Sequence, residues 1–410
     1  MARWRMSSGL WETVRMYKLS DLHEYDPEPW NTDLYERIRF VNRCVAEKKK
    51  IVLEIYHHAD TSTFRYRCYN VFQQMKDHEE WRTVYFFHHE LQHAVSFLES
   101  VCCVILVRVM WTYDLQCFID CVKMKKIPLL FDVDDLVFDV DYLPLVFNTL
   151  RMDFNDENSV NGQFCYFGRL DYTARQADGY IATNDYLGKI LQNKYERPFG
   201  VIPNFLNDEQ MRVSEGLRSQ KKRKQSVRPF TIGYFSGSPS HANDFTVVSP
   251  ELIQLMKKYS DIHLLVVGFM EFPSQMRHFI DLGRVRFKPL VDFIALQKLI
   301  AEVDVNLVPL IDNTFTNCKS ELKFFEAAIV DTPTCATPTY TYRSCISTAH
   351  NGFLCRQGEW FPVLESIYLE KTDTASILKR AYEDSVANYS GESVTKKITQ
   401  ALSLSQEIRL

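Results

Sequence analysis

Three carboxylates stand within four residues of one another in LLFDVDDLVFD, residues 129–139: Asp132, Asp134 and Asp135. They follow an apolar run that reads as a strand. Alternation along that strand puts Asp132 and Asp134 on one side of its end and Asp135 on the other. Acids placed this way suit three chemistries. A pair can hold a divalent metal, one can serve as a phosphoaspartyl nucleophile, or the group can line the rim of a binding cleft. A plain structural role, capping the next element, competes with all three.

Cations that could face an anionic substrate lie elsewhere in the chain. In KSELKFFEAAI (319–329), Lys319, Lys323 and Glu326 recur at i, i+4 and i+7 and predict one polar helix stripe beside an apolar stripe of Leu322, Phe325 and Ile329. A helix start that follows a strand offers unpaired backbone N–H groups, and with Lys319 beside them it suits a diphosphate. Glu326, about two turns deeper, is placed to accept from sugar hydroxyls. An ordinary surface helix with Lys–Glu pairs explains the same spacing. In GYFSGSPSHANDF (233–245), a strand leads through a loop of short residues to a helix. Gly237, Ser238, Ser240 and His241 fall in that loop, where a phosphate can approach the backbone closely, and Asn243 or Asp244 is the expected cap. HHADTSTFRYR (57–67) offers Arg65 and Arg67 as a clamp for a phosphate or an acidic substrate, or as solvent-facing arginines.

The elements that must position these residues alternate. Strands are predicted at 51–56, 81–87, 102–108, 127–133 and 179–183, with helical patterns between them; 140–175 has no assignment. The alternation restarts with strands at 230–236, 262–269, 284–290, 304–310 and 332–337, and the chain ends in helical patterns. Near-continuous apolar strands separated by helices signal parallel sheets covered on both faces. The expected organisation is an N-terminal extension (1–50), a first α/β domain (51–206), a basic linker (207–228), a second α/β domain (229–384) and a C-terminal helix (385–410) that crosses back to the first. Ligands of such sheets bind beyond the carboxyl ends of the strands, so the expected site is the cleft between the two.

The totals bound the function. At 410 residues two domains are the default, and a net charge of −4 argues against a nucleic-acid binder. Eleven scattered cysteines without a CxxC read as reduced thiols in a cytoplasmic protein and against structural zinc. The longest apolar stretch, SVCCVILVRVMW, is too short for a bilayer span and holds Arg108. The N-terminal segment MARWRMSSGLWETVRMYKL interleaves basic and apolar residues, and RSQKKRKQSVR (218–228) has six basic residues and no acid. Both read first as surface segments, the second as a solvated loop, and second as peripheral contacts with an anionic membrane.

FDVDD resembles the first motif of haloacid-dehalogenase-type phosphatases, an apolar strand ending in Asp-x-Asp, which would make Asp132 a magnesium-assisted nucleophile. That motif wants a Thr where Leu136 stands, and it belongs to the first strand of its domain. A broader resemblance runs over residues 51–370. DVNLVPLIDNTFTNCKSELKFFEAAIVDTPTCAT followed by HNGFLC is similar to the donor-binding region of family 4 glycosyltransferases of the GT-B fold. GYFSGSPSHANDF and IHLLVVGF match the opening of that domain, and GYIATNDYLGKIL and VIPNFLN match the close of the acceptor domain. The K-S-E-L-K version of the donor helix is similar to a subgroup tied to surface polysaccharides.

The resemblance implies two Rossmann-like domains facing across a cleft. It implies retaining, metal-independent transfer of a hexosyl or deoxyhexosyl group from a nucleotide sugar to a glycan or lipid-linked acceptor, with no other cofactor. It places the diphosphate on Lys319, Lys323, Gly237, Ser238 and His241, the ribose on Glu326 and the base against Lys288 and Pro289. A catalytic histidine of the family falls on Asp134, with Arg65, Arg67, Asp132 and Asp135 on the acceptor side. The family's first donor-helix glutamate falls on Cys318, and its glycine-loop Arg and Lys fall on Ser238 and Asn243. These losses leave a non-catalytic binding protein of the same fold as a further reading.

Overall fold

The computed structural model describes residues 25–223, 228–237 and 243–409. The first six strands are β1 (Lys50–Tyr56), β2 (Trp81–Phe87), β3 (Val101–Val107), β4 (Leu129–Val133), β5 (Gly179–Ala182) and β6 (Phe199–Val201). They form one parallel sheet in the order β2-β1-β3-β4-β5-β6. The order reverses between β1 and β3, which opens a crevice over their carboxyl ends. The next six are β7 (Phe230–Phe235), β8 (Ile262–Val267), β9 (Val285–Lys288), β10 (Val305–Val308), β11 (Thr334–Ala336) and β12 (Phe353–Leu354). Their order, β12-β11-β10-β7-β8-β9, is the doubly wound arrangement with its switch point between β7 and β10. Strands such as VCCVILV are apolar throughout because helices cover both faces of each sheet.

Local chemistry sets the helix starts. Asp33, Thr112 and Asn184 each accept a backbone N–H at the start of the helices Leu34–Ala46, Tyr113–Met124 and Asp185–Tyr195. Residues 140–175, without assignment from sequence, hold two helices, Leu143–Leu150 and Glu157–Ala174. The basic stretch expected as a solvated loop is helical as far as Arg223, in a helix that begins at Asp208. Two of its cations are docked rather than solvated. Arg218 pairs with Asp331 at 2.7 Å, and the Lys221 ammonium donates to the Asp331 carbonyl and the Thr332 hydroxyl, each at 2.8 Å. The N-terminal segment expected to meet a membrane lies outside the described residues.

One apolar cluster runs through both halves. It joins Val52, Ile105 and Leu130 of the first sheet to Leu265, Val308 and Ala336 of the second, through Trp30, Phe64, Phe293 and Phe325. An apolar junction of this kind resists free hinge motion. The last helix, Gly391–Arg409, packs on the first sheet. A Cβ on Gly200 of β6 would lie 2.9 Å from the Ala401 backbone, so only glycine admits the helix there. All eleven cysteines are free thiols, and no helix among the described residues is long and apolar enough to cross a membrane.

Candidate functional site

The three acids that follow the apolar run each meet a different cation. Asp132 is buried and held by both edges of one guanidinium: Arg67 Nε donates to Oδ1 at 2.9 Å and Nη2 to Oδ2 at 2.7 Å. Arg67 Nη1 also donates to the Ile202 carbonyl at 2.5 Å. Burial pushes the Asp132 carboxyl up, and Arg67 opposes the shift. Burial, with the charge of Asp132 beside it, drives the pKa of the neighbouring Glu54 well up. Both Asp132 oxygens are held by Arg67 and the side chain is buried, which leaves it poorly placed to attack phosphorus. Arg67, expected to face an acceptor, is wholly buried in this pair.

Asp134 lies one step beyond β4. Oδ1 accepts from Arg108 Nη1 at 2.7 Å, and Oδ2 accepts from the Thr63 hydroxyl at 2.9 Å. Burial acts to raise its pKa, but Arg108 and Thr63 outweigh burial and hold the carboxyl below its usual range. Asp134 is thus a standing negative charge and a poor proton acceptor near neutrality. Asp132 and Asp134 both reach toward the 63–67 segment, as alternation predicts. Asp135 points across the cleft to Lys319, with Nζ to Oδ2 at 3.2 Å.

Arg108 and Thr63 were not legible as site residues. Arg108 stands directly after β3 with φ of 46°, a left-handed backbone that turns its side chain over the strand ends. Its Nε donates to the Tyr166 hydroxyl at 2.7 Å. A charged residue closing an apolar strand was the available signal.

Arg65 is not an acceptor clamp either. It lies in a π-helical turn, Arg65–Tyr69, that directs it into the junction of the two halves. There Glu326 Oε1 accepts from Gln210 Nε2 at 3.0 Å and from the Tyr66 hydroxyl, and Arg65 Nη2 lies 3.5 Å away. Arg65 also lies over the Phe293 ring at 4.6 Å, and Trp30 stacks on that ring at 5.9 Å. Glu326 is buried, and among the described residues its Oε2 takes no hydrogen bond.

On the donor side the helix begins later than its stripe predicts, at Leu322, and ends at Ala328. Lys319 therefore sits in the preceding turn, on no helix start. That turn is tied to both halves: Asn184 Nδ2 donates to the Cys318 carbonyl at 2.9 Å and the Thr341 hydroxyl donates to the Lys319 carbonyl at 3.0 Å. Unlike Lys319, Arg65 and Arg67, the half-buried Lys323 has no acid paired with it among the described residues. Among the described residues no ion pair or hydrogen bond reaches its ammonium, which lies 5.9 Å from the Tyr234 ring centroid. Burial lowers its pKa to about 8, Lys319 adds to the drop, and Asp244 and Glu326 oppose it. The buried hydroxyls of Ser320, Thr337 and Thr339 also lack partners. They lie on the Lys319 turn and on the segment that follows β11 and hydrogen-bonds to that turn.

Gly237 closes β7 with φ of 64°, and Ser238 and His241 lie outside the described residues. Neither Asn243 nor Asp244 acts as the expected cap. Asn243 donates to the Asn148 carbonyl at 2.5 Å and Asp244 accepts from the Ile311 amide at 3.0 Å. Lys288 ends β9, half-buried, with Pro289 exposed beside it. Among the described residues no three His, Cys, Asp or Glu side chains converge as a metal site.

No protein-family model matches the chain, nor does any curated protein. Solved structures do match in fold. HepE of Anabaena, in complex with UDP, superposes with a TM-score of 0.55 at 14% identity over 86% of this chain and 99% of its own. A glycosyltransferase from Rickettsia africae gives 0.56 at 13%, over 88% and 98%. The sucrose-phosphate synthase of Thermosynechococcus elongatus gives 0.50 at 14%, over 86% and 98%. The chain has the GT-B fold of glycosyltransferases, with two parallel six-stranded sheets facing each other.

Proposed function

We propose that the protein is a glycosyltransferase that moves a hexosyl or deoxyhexosyl group, with retention and without a metal, from a nucleotide sugar to a glycan or lipid-linked hydroxyl in polysaccharide or glycoconjugate synthesis. The observation that carries the reading is Lys323. An ammonium withdrawn from water and left without a counter-ion is costly unless an anion joins it. It stands by the carboxyl end of β7, where ligands of doubly wound sheets bind. The unpartnered hydroxyls of Ser320, Thr337 and Thr339 suit phosphate oxygens in the same place.

In this reading the donor diphosphate lies on Lys323 and the β7 turn at Gly237, with Ser238 and His241 in the loop beyond. Lys319 joins it by giving up Asp135. Glu326 keeps Oε1 in the junction and offers Oε2 to the ribose, while Lys288 and Pro289 border the base. Asp134, held ionised by Arg108, stabilises positive charge that develops on the donor sugar at the anomeric carbon. The transition state of such transfer is oxocarbenium-like, and a fixed carboxylate suits it better than a base would. Asp132 and Arg67 hold the acceptor-side wall in place.

The test is transfer or slow hydrolysis of a panel of nucleotide sugars in chelator, with the anomeric configuration of the product read by proton NMR. Retention with wild type and loss with Asp134→Asn is the expected result. Nucleotide binding without turnover of any donor would instead favour the non-catalytic reading.

A further inference from the structure

The carboxyl ends of β1 and β2 carry a second charged group that the reaction above does not use. Two His-His pairs follow these strands, His57 with His58 and His88 with His89. Tyr56 and Phe87 pair in register, so the doublets lie side by side. His57 Nδ1 is 3.2 Å from His58 Nδ1, and the His57 and His88 rings stack at 5.6 Å. His88 Nε2 lies 2.7 Å from the Thr112 hydroxyl.

Arg169 approaches from the helix Glu157–Ala174. Its Nε donates to the Trp111 carbonyl at 2.7 Å, and among the described residues no hydrogen bond reaches its two Nη atoms. Burial lowers the pKa of both His57 and His88. His58 lowers His57 further, His57 lowers His88 further, and Arg169 and His89 lower both; a backbone hydrogen bond opposes at His57 and Asp114 opposes at His88. Glu90 lies 3.8 Å from His89 but is taken by Arg37 at 2.7 Å. The cluster is half-open, and among the described residues no carboxylate pairs with His57, His88 or Arg169.

An aromatic ledge adjoins it. Trp111 meets Tyr172 edge-on at 5.3 Å, and Tyr113 and Tyr172 are 75% and 53% exposed. Exposed ring faces beside polar groups suit the apolar face of a sugar. Tyr166, one turn before Arg169 on the same helix, binds Arg108, which binds Asp134. The cluster is therefore connected to the proposed reacting centre through Tyr166 and Arg108.

We propose that His57, His88 and Arg169 bind an anionic group, phosphate or carboxylate, of a sugar-containing acceptor whose ring rests on Trp111, Tyr113 and Tyr172. The placement as an acceptor rests on the transferase reading; anion binding does not. A bound anion favours the imidazolium forms, so affinity rises as pH falls through the histidine range.

The experiment titrates glucose 6-phosphate, glucuronic acid and glucose into the full chain without nucleotide, following the histidine proton signals by NMR. At least one anionic sugar is expected to bind about tenfold tighter than glucose, the worth of one charge-assisted hydrogen bond. The phosphate and carboxylate arms distinguish the two sources. Glucuronic acid, whose charge is constant over the range, is expected to bind more tightly at about pH 5.5 than at about pH 7.5. His57→Gln and Arg169→Gln should each remove most of the gain and leave UDP binding at the donor side unchanged. Anionic sugars no tighter than glucose, or an advantage that survives both substitutions, overturn the proposal. Absence of UDP binding in wild type would instead sink the donor assignment and leave this result standing.

Discussion

The two walls of the cleft handle charge in opposite ways. On the first-domain wall every acid of the 132–135 group has its own cation: Arg67, Arg108 and Lys319. On the second-domain wall Lys323 sits half-buried with no partner among the described residues. A wall whose charges are paired within the protein is a finished structure. A wall that leaves a desolvated cation open is finished by a ligand. The difference assigns rigidity to one side and anion binding to the other.

The largest effect comes from breaking the saturated side. Arg67→Ala strands Asp132 beside Glu54 and also frees the Ile202 carbonyl. Breaking one partner of a buried pair costs about 3–5 kcal/mol, and calorimetric unfolding should show a loss of that order. Next is Lys323→Met, which removes an unpaired ammonium. Melting temperature should hold or rise, while UDP affinity falls at least about tenfold, as expected when a charge-assisted contact is lost. If both substitutions merely destabilise, the contrast between the walls collapses.

The pH dependence sharpens the same comparison. The folded-state pKa of Lys323 is lowered to about 8 from an ordinary 10.5. Below about pH 8 both states hold the proton and the folded state bears the full penalty. Between these values the unfolded chain binds more protons, so stability rises with pH, by at most about 1.4 kcal/mol per pH unit for one group. Lys221, also lowered to about 8 by burial, acts in the same direction. Denaturant midpoints between about pH 8 and 9.5 should therefore climb in wild type and climb less steeply in Lys323→Met. Equal slopes would show that Lys323 is not desolvated.

The smallest effect belongs to the bridge between the walls. Lys319 and Asp135 are each about a fifth exposed, so the pair contributes only about 0–1 kcal/mol to stability. Asp135→Asn should barely move the melting temperature yet tighten UDP a few-fold, because Lys319 is released to the diphosphate. Weaker binding in that variant would mean that Asp135 serves the nucleotide site directly.

Much of this fold was legible because parallel strands are apolar on both faces and announce themselves as runs. Residues 140–175 were not, since Glu157–Ala174 keeps its polar surface and shows only a shallow apolar stripe. The acids and lysines of the site were legible as residue types. Their partners were not: Thr63 lies 71 positions from Asp134, and Lys319 lies 184 from Asp135. Arg65 and Arg67 failed as acceptor residues because a π-turn, invisible in spacing, turns both inward. Helical periodicity found Lys323 but gave Lys319 a helix start that the chain delays to Leu322.

The most direct test of the central claim is calorimetric titration of UDP, in chelator, into wild type and Lys323→Met. The account predicts metal-independent binding to wild type and a loss of at least about tenfold in the variant at unchanged thermal stability. Equal affinity in the two proteins would contradict it.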